Sequence, residues 1–177
     1  GLVFMFSGIV KAIDPVGTQI KLYDYINSLG LNISLPDSTL LIIACMLAGM
    51  EILLGIYVTM GAYIRGTSFL LSLFLIVMTP FTLYLAISNP VEDCGCFGDA
   101  VKLSNWQTFW KNVFLLILTL YVFIRKKLSF PFVQYKIQWV LTLVSMVLIV
   151  KFTVSKIKYL PAIDFRPYKI GTDLRQG

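Results

Sequence analysis

Two cysteines separated by one glycine, in Asp93-Cys94-Gly95-Cys96-Phe97-Gly98-Asp99, are the residues of this chain best suited to chemistry. Such a pair can exchange disulfides, hold a soft metal or close a structural bridge. A bridge across so short a loop returns little stability, because its benefit grows with the loop it closes. Strained, exposed disulfides are also the labile ones. Metal binding has little to work with: the chain has no histidine, and its third cysteine, Cys45, lies far up the sequence. Two thiolates are half a zinc site, and no metal ligands are assigned. Thiol–disulfide exchange is therefore the leading reading, with a metal or a partner-bridging link beside it. Glu92, Asp93 and Asp99 crowd the pair and disfavour thiolate, and Lys102 offsets them only in part. The pair reads as a disulfide attacked by a partner's thiolate, or as a dithiol oxidised within the membrane.

Glu51 is the next candidate. Ala44, Ala48, Glu51 and Gly55 are spaced to share one helical face, and small residues let helices approach closely. A carboxylate at mid-membrane depth is costly and functional by default. Lys11 precedes the Asp14-Pro15 break. A lysine near the membrane surface would not reach so deep a glutamate, so no ion pair is expected. Arg65, beyond the opposite end, is also distant. A protonated Glu51 bonded to a neighbouring helix, through Thr79, stands beside a proton-relay or quinone-pocket role. Ser7, Lys11 and Asp14 make one polar stripe, read as a snorkelling lysine with a local partner. Cys45 reads as a small hydrophobe. Catalytic candidates are thus Cys94, Cys96 and Glu51; cofactor-binding candidates are Thr79 and Pro80.

The elements that must position these residues are helices in lipid. The 177 residues are 58% hydrophobic and only 14% charged, with a mean hydropathy of +0.82. A soluble domain of this size could not bury so much apolar surface. Each apolar run has the length of a helix rather than the alternation of a barrel strand. The fold class is all-α integral membrane. A first helix covers residues 1–13, too short to span by itself and read as a helix whose start is missing. A polar connection, 16–38, holds a short amphipathic helix lying on the membrane surface. Further spans are expected at about 39–60, 67–88, 105–124 and 137–155. Ser104 and Gln107 form a capping box for the fourth, and Pro80 should kink the third. The cysteine loop, 89–105, lies between the third and fourth spans.

Five spans put the cysteine loop and the tail, 156–177, on one side. Arg65 and the 126–136 turn with Arg125 carry basic charge with no acid, whereas the other side mixes both signs. The dense Arg125-Lys126-Lys127 cluster is taken to be cytoplasmic, which places the cysteines outside. The net charge of +6 sits near helix ends and suits anionic lipid head groups. No basic run with interleaved aromatics points to nucleic acid.

Several of these residues carry a family likeness. Phe6-Ser7-Gly8 with Lys11 and Asp14-Pro15, the Glu51 helix, and Asp93–Asp99 ahead of Trp106-Gln107 resemble the DoxX/MauE family over roughly residues 1–125. The resemblance implies a DoxX-like four-helix transmembrane bundle, here followed by a fifth transmembrane helix. It makes Cys94 and Cys96 the redox pair and transfers no role to Glu51. The tail from Asp164 to Lys169 resembles the form in Bacteroidota-type bacteria, where a thioredoxin-like domain follows. MauE-like members are linked to disulfide formation in exported proteins, and DoxX-like members to quinone-coupled sulfur oxidation. The expectation is an inner-membrane thiol–disulfide redox protein, a quinone-linked oxidoreductase in its enzymatic form. It would exchange with a periplasmic thioredoxin-like partner or domain, with quinone as the candidate carrier. The alternative is a non-enzymatic membrane subunit that anchors or assembles a partner complex.

Overall fold

In the computed structural model the described residues are 1–28, 35–89, 95–99, 101, 103–124 and 135–158. They form helices α1 (Leu2–Ile13), α2 (Pro15–Ser28), α3 (Asp37–Met60), α4 (Ile64–Ser88), α5 (Asn105–Ile124) and α6 (Tyr135–Lys158), with one four-residue strand, β1 (Cys96–Asp99), between α4 and α5. The expectation of a helical membrane protein is met. α3, α4 and α5 are long and apolar enough to cross a membrane, whereas α1 and the Ile137–Thr153 part of α6 are apolar but shorter. Of the five expected spans, three therefore qualify by length and composition. Leu70, Leu73, Ile76 and Val77 on α4 and Phe114, Ile117 and Leu118 on α5 are exposed, an apolar surface of the kind that meets lipid. The 126–134 turn and the tail beyond residue 158 lie outside the described residues.

Local signals set most boundaries. The capping box forms as its residues require: Ser104 N–H donates to Gln107 Oε1 at 3.0 Å, and Gln107 N–H donates to Ser104 Oγ at 3.2 Å. α3 ends on Gly61 and α4 on Asn89, both left-handed, the conformation those two residue types tolerate best. Asn89 also accepts from Asn105 Nδ2 at 2.9 Å, tying the end of α4 to the start of α5. Deeper along the same seam, Asn112 Nδ2 donates to Thr82 Oγ1 at 3.3 Å. Ser68, Ser72 and Thr82 of α4 are buried, while Thr79 is only partly so.

α1 and α3 run antiparallel and very close. A Cβ added at Gly8 would stand 2.7 Å from the Ala48 carbonyl oxygen and 2.7 Å from Ile52 Cγ1. Ala44 and Ala48 are fully buried on the facing side and Glu51 is 4% exposed, as the small-residue spacing on α3 implies. Phe4, Leu54, Leu71 and Leu75 fill the space among α1, α3 and α4, with Leu115 and Leu116 of α5 packed against them.

The structure corrects the expected depth of Lys11. Gly8 packs against Ala48 and Ile52, so Ser7 lies level with Glu51 and Lys11 only one turn away. α3 continues past the end of α1 by roughly two turns, about 12 Å. The two helices do not begin and end at a common surface, which was the assumption that separated Lys11 from Glu51. The chain turns instead at Asp14, whose Oδ1 accepts the Gly17 N–H at 2.9 Å and starts α2. α2 then packs along α3 and against β1 rather than lying apart on the surface.

Candidate functional site

The site begins with three side chains at the α1–α3 contact. Lys11 Nζ lies 2.5 Å from Glu51 Oε1 and 3.3 Å from Ser7 Oγ. Ser7 Oγ lies 2.7 Å from Glu51 Oε2 and 2.6 Å from the carbonyl oxygen of Cys96. A buried charge is retained only when paired and hydrogen-bonded, and α1 supplies both functions from one face, at i and i+4. The predicted polar stripe thus exists, but its lysine is an ion-pair partner for Glu51. Asp14, the third member, is spent on capping α2.

The bond from Ser7 to Cys96 brings the cysteine loop onto the helix bundle. Phe97 packs beside it against Phe6, ring centroids 5.6 Å apart, and Lys111 Nζ of α5 stands 4.5 Å from the Phe97 ring centre, within cation–π range. Gly95 has φ +54, and a Cβ there would meet Lys21 Cγ at 3.1 Å and Cδ at 3.2 Å. Glycine is therefore favoured by its left-handed backbone, and the Lys21 side chain of α2 packs closely against it. The short helix does cover this part of the loop.

Beneath the loop is a cavity of about 360 Å³, in the range of small-molecule sites. Ser7, Lys11, Lys21, Glu51, Cys96 and Lys111 are among its polar lining residues, and Phe4, Leu22, Phe74, Leu75 and Phe81 belong to its larger apolar part. Among the described residues its lining is mostly apolar, with three lysines, one carboxylate and a cysteine on its wall.

The family model described as methylamine utilisation protein MauE matches residues 1–125. The chain belongs to the MauE family. No curated protein and no solved structure gives a match. The match runs from α1 to the end of α5, so it contains every residue of the cavity.

In this MauE-family chain the structure brings Cys96 and Glu51 to one cavity, 2.6 and 2.7 Å from the same serine oxygen. Cys94 lies outside the described residues. Thr79 and Pro80 are not in the lining, although their neighbours Val77, Met78 and Phe81 are. The Thr79 hydroxyl donates to the Leu75 carbonyl at 2.6 Å, and Pro80 is exposed. Cys45 is half-buried on α3, outside the lining. Among the described residues no cluster of acids and cysteines could hold a metal ion.

Two participants went unread in the sequence, Lys111 and Lys21. Lys111-Asn112 is a polar pair inside an expected span, and an ionisable residue there is a functional signal in its own right. Lys21 and Tyr25 are one helical turn apart on α2 and both line the cavity. That spacing was legible, but nothing local showed which face meets the loop.

Proposed function

We propose that this MauE-family protein is a thiol–disulfide redox protein of the bacterial inner membrane, with its cysteine loop and C-terminal tail on the periplasmic side. The reaction is exchange: two thiols of one partner reduce the disulfide of the other, so that two electrons and two protons pass together. Cys94 and Cys96 are this chain's pair, and a periplasmic thioredoxin-like protein or domain is the other. The observation that carries the reading is the Ser7 bond to the Cys96 carbonyl. It ties the cysteine loop to a buried acid–base pair at the wall of a cavity.

The cavity's residues fit a quinone. The apolar lining suits an isoprenoid tail, and Lys21 and Lys111 would offer donors to ring carbonyl oxygens. A quinone would supply a two-electron, two-proton acceptor for the dithiol. The helix-end charges and the apolar outer surface suit a bilayer rich in anionic lipid.

Thiol trapping tests the reading. In intact cells, Cys94→Ser and Cys96→Ser variants should each leave exported proteins with unformed disulfides or leave the thioredoxin-like partner locked in one redox state. If both variants keep exported disulfides and partner state unchanged, the protein is a non-enzymatic subunit and the redox reading is lost.

A further inference from the structure

The bundle is built from two close helix pairs, α1 with α3 and α4 with α5, and the cavity lies between them. Phe4, Ser7 and Glu51 line it from the first pair, and Phe74, Phe81 and Lys111 from the second. Two aromatic contacts reach across it. Phe74 packs edge-on against Phe4, ring centroids 6.1 Å apart, and Phe81 packs edge-on against Tyr25 of α2 at 5.2 Å. Along α4 these two phenylalanines are two helical turns apart, about 10 Å. Between them stands Val77, which lines the cavity and is also 60% exposed. Val3, next to Phe4 on α1, has the same two properties and is 39% exposed. Every other described lining residue is buried or half-buried. A side chain that meets the cavity on one side and the outside on the other marks an opening. The cavity therefore has a window in the flank of the bundle, framed by the two aromatic contacts.

The depth of the window decides what it opens on. Val77 lies near the middle of α4, about 18 Å of helix from its Asn89 end, and α4 is long and apolar enough to cross a membrane. Half the thickness of a bilayer's hydrocarbon core is about 15 Å. The window thus faces lipid tails, as do its exposed neighbours Leu73 and Ile76. Polar lining groups are tied to the other end, at the cysteine loop: Ser7 bonds the Cys96 carbonyl at 2.6 Å, and Lys111 stands 4.5 Å from the Phe97 ring centre.

Resting on the redox reading above, we infer that the electron carrier enters this cavity sideways from the bilayer through the Val77 window. Its polar head turns toward the cysteine loop. The first part of its tail lies on the apolar lining, and the rest passes out at Val77. A cavity of about 360 Å³ is near the small end of the range for ligand sites, so a long tail must leave it somewhere. The carrier class is thereby narrowed to a membrane-dissolved quinone with a hydrocarbon tail. Lipid outside the window is as apolar as the lining, so narrowing the window acts by size rather than by lost attraction.

Val77→Trp fills the window and tests the inference. Purified protein in phospholipid nanodiscs, its thiols alkylated so that no redox chemistry intervenes, is titrated with two tritiated probes. One is decylubiquinone; the other is dimethoxy-methyl-benzoquinone, the same head without a tail. Each probe is compared only with itself across variants, so that its partition into the bilayer cancels. Val77→Trp should weaken decylubiquinone by about tenfold or more and leave the tailless probe unchanged. Ile76→Trp, exposed on the same helix but outside the lining, should change neither. Val3→Trp should act as Val77→Trp does, and it decides the matter where Val77→Trp fails to fold. If decylubiquinone binds both window variants as it binds the wild type, or if both probes weaken together, the window is refuted while quinone binding stands. If neither probe binds the wild-type protein, the window and the quinone carrier fall together, and thiol exchange is judged by trapping alone.

Discussion

At the scale of single residues, Glu51 is the group around which the site's chemistry is arranged, and its substitutions should separate two properties that usually travel together. A glutamine there keeps an oxygen to accept from Lys11 and offers an N–H₂ to Ser7, but it removes the negative charge of the ion pair. Glu51→Gln should therefore destabilise the protein, but by less than a residue that removes the hydrogen bonds as well. Glu51→Leu leaves the Lys11 ammonium buried without its partner, a change that costs about 3–5 kcal/mol. Denaturant unfolding in detergent checks both, and equal losses would show that the charge, not the hydrogen bonds, is what the fold requires. Glu51 was conspicuous in the sequence because a carboxylate on the small-residue face of an apolar helix is costly to bury. Its partner was not. Residue spacing gives distances along one helix, whereas the Lys11–Glu51 contact depends on how far α1 slides along α3.

At the scale of elements, that slide is set by close packing. Gly8 sits where a side chain would strike the Ala48 carbonyl oxygen at 2.7 Å, so the α1–α3 distance has no slack. Gly8→Val should force the helices apart, at a cost of about 1–3 kcal/mol, and loosen the Lys11–Glu51–Ser7 contacts with them. Gly66 on α4 is the control, because a Cβ there meets nothing within 4 Å. Gly66→Ala should be neutral or stabilise by about 0.5–1 kcal/mol. Thermal unfolding of the two variants checks the contrast. The start of α5 was fully legible, since Ser104, Asn105 and Gln107 act on their own neighbours. The placement of α2 was not. Its sequence shows an amphipathic helix, but the face bearing Lys21 and Tyr25 is selected by Gly95 and β1, which come some seventy residues later. Lys111 was hidden for the same reason: its role needs Phe97 beneath it.

At the scale of the whole molecule, one side of the bundle gathers the chemistry and the other closes a plain turn. A membrane-impermeant maleimide added to intact cells should label Cys96 after reduction and leave Cys45, which lies within the apolar helix α3, untouched. Labelling that requires broken cells would reverse the orientation given to the protein. The bundle also holds its loop in an unusual way. The Asn89–Asn105 bond joins the two stems at 2.9 Å, so the segment between them is a ring closed at the neck, independent of its contents. For a ring closed in this way, length is a weak variable: doubling the chain within it costs only about 0.6 kcal/mol of closure entropy. Within it, Cys96–Asp99 is held by α1 and α2, so the loop is fixed at two separate levels, the neck and the strand. The neck thus anchors the base of the loop to α4 and α5 without help from the strand, and the strand seats the loop on α1 and α2 without help from the neck.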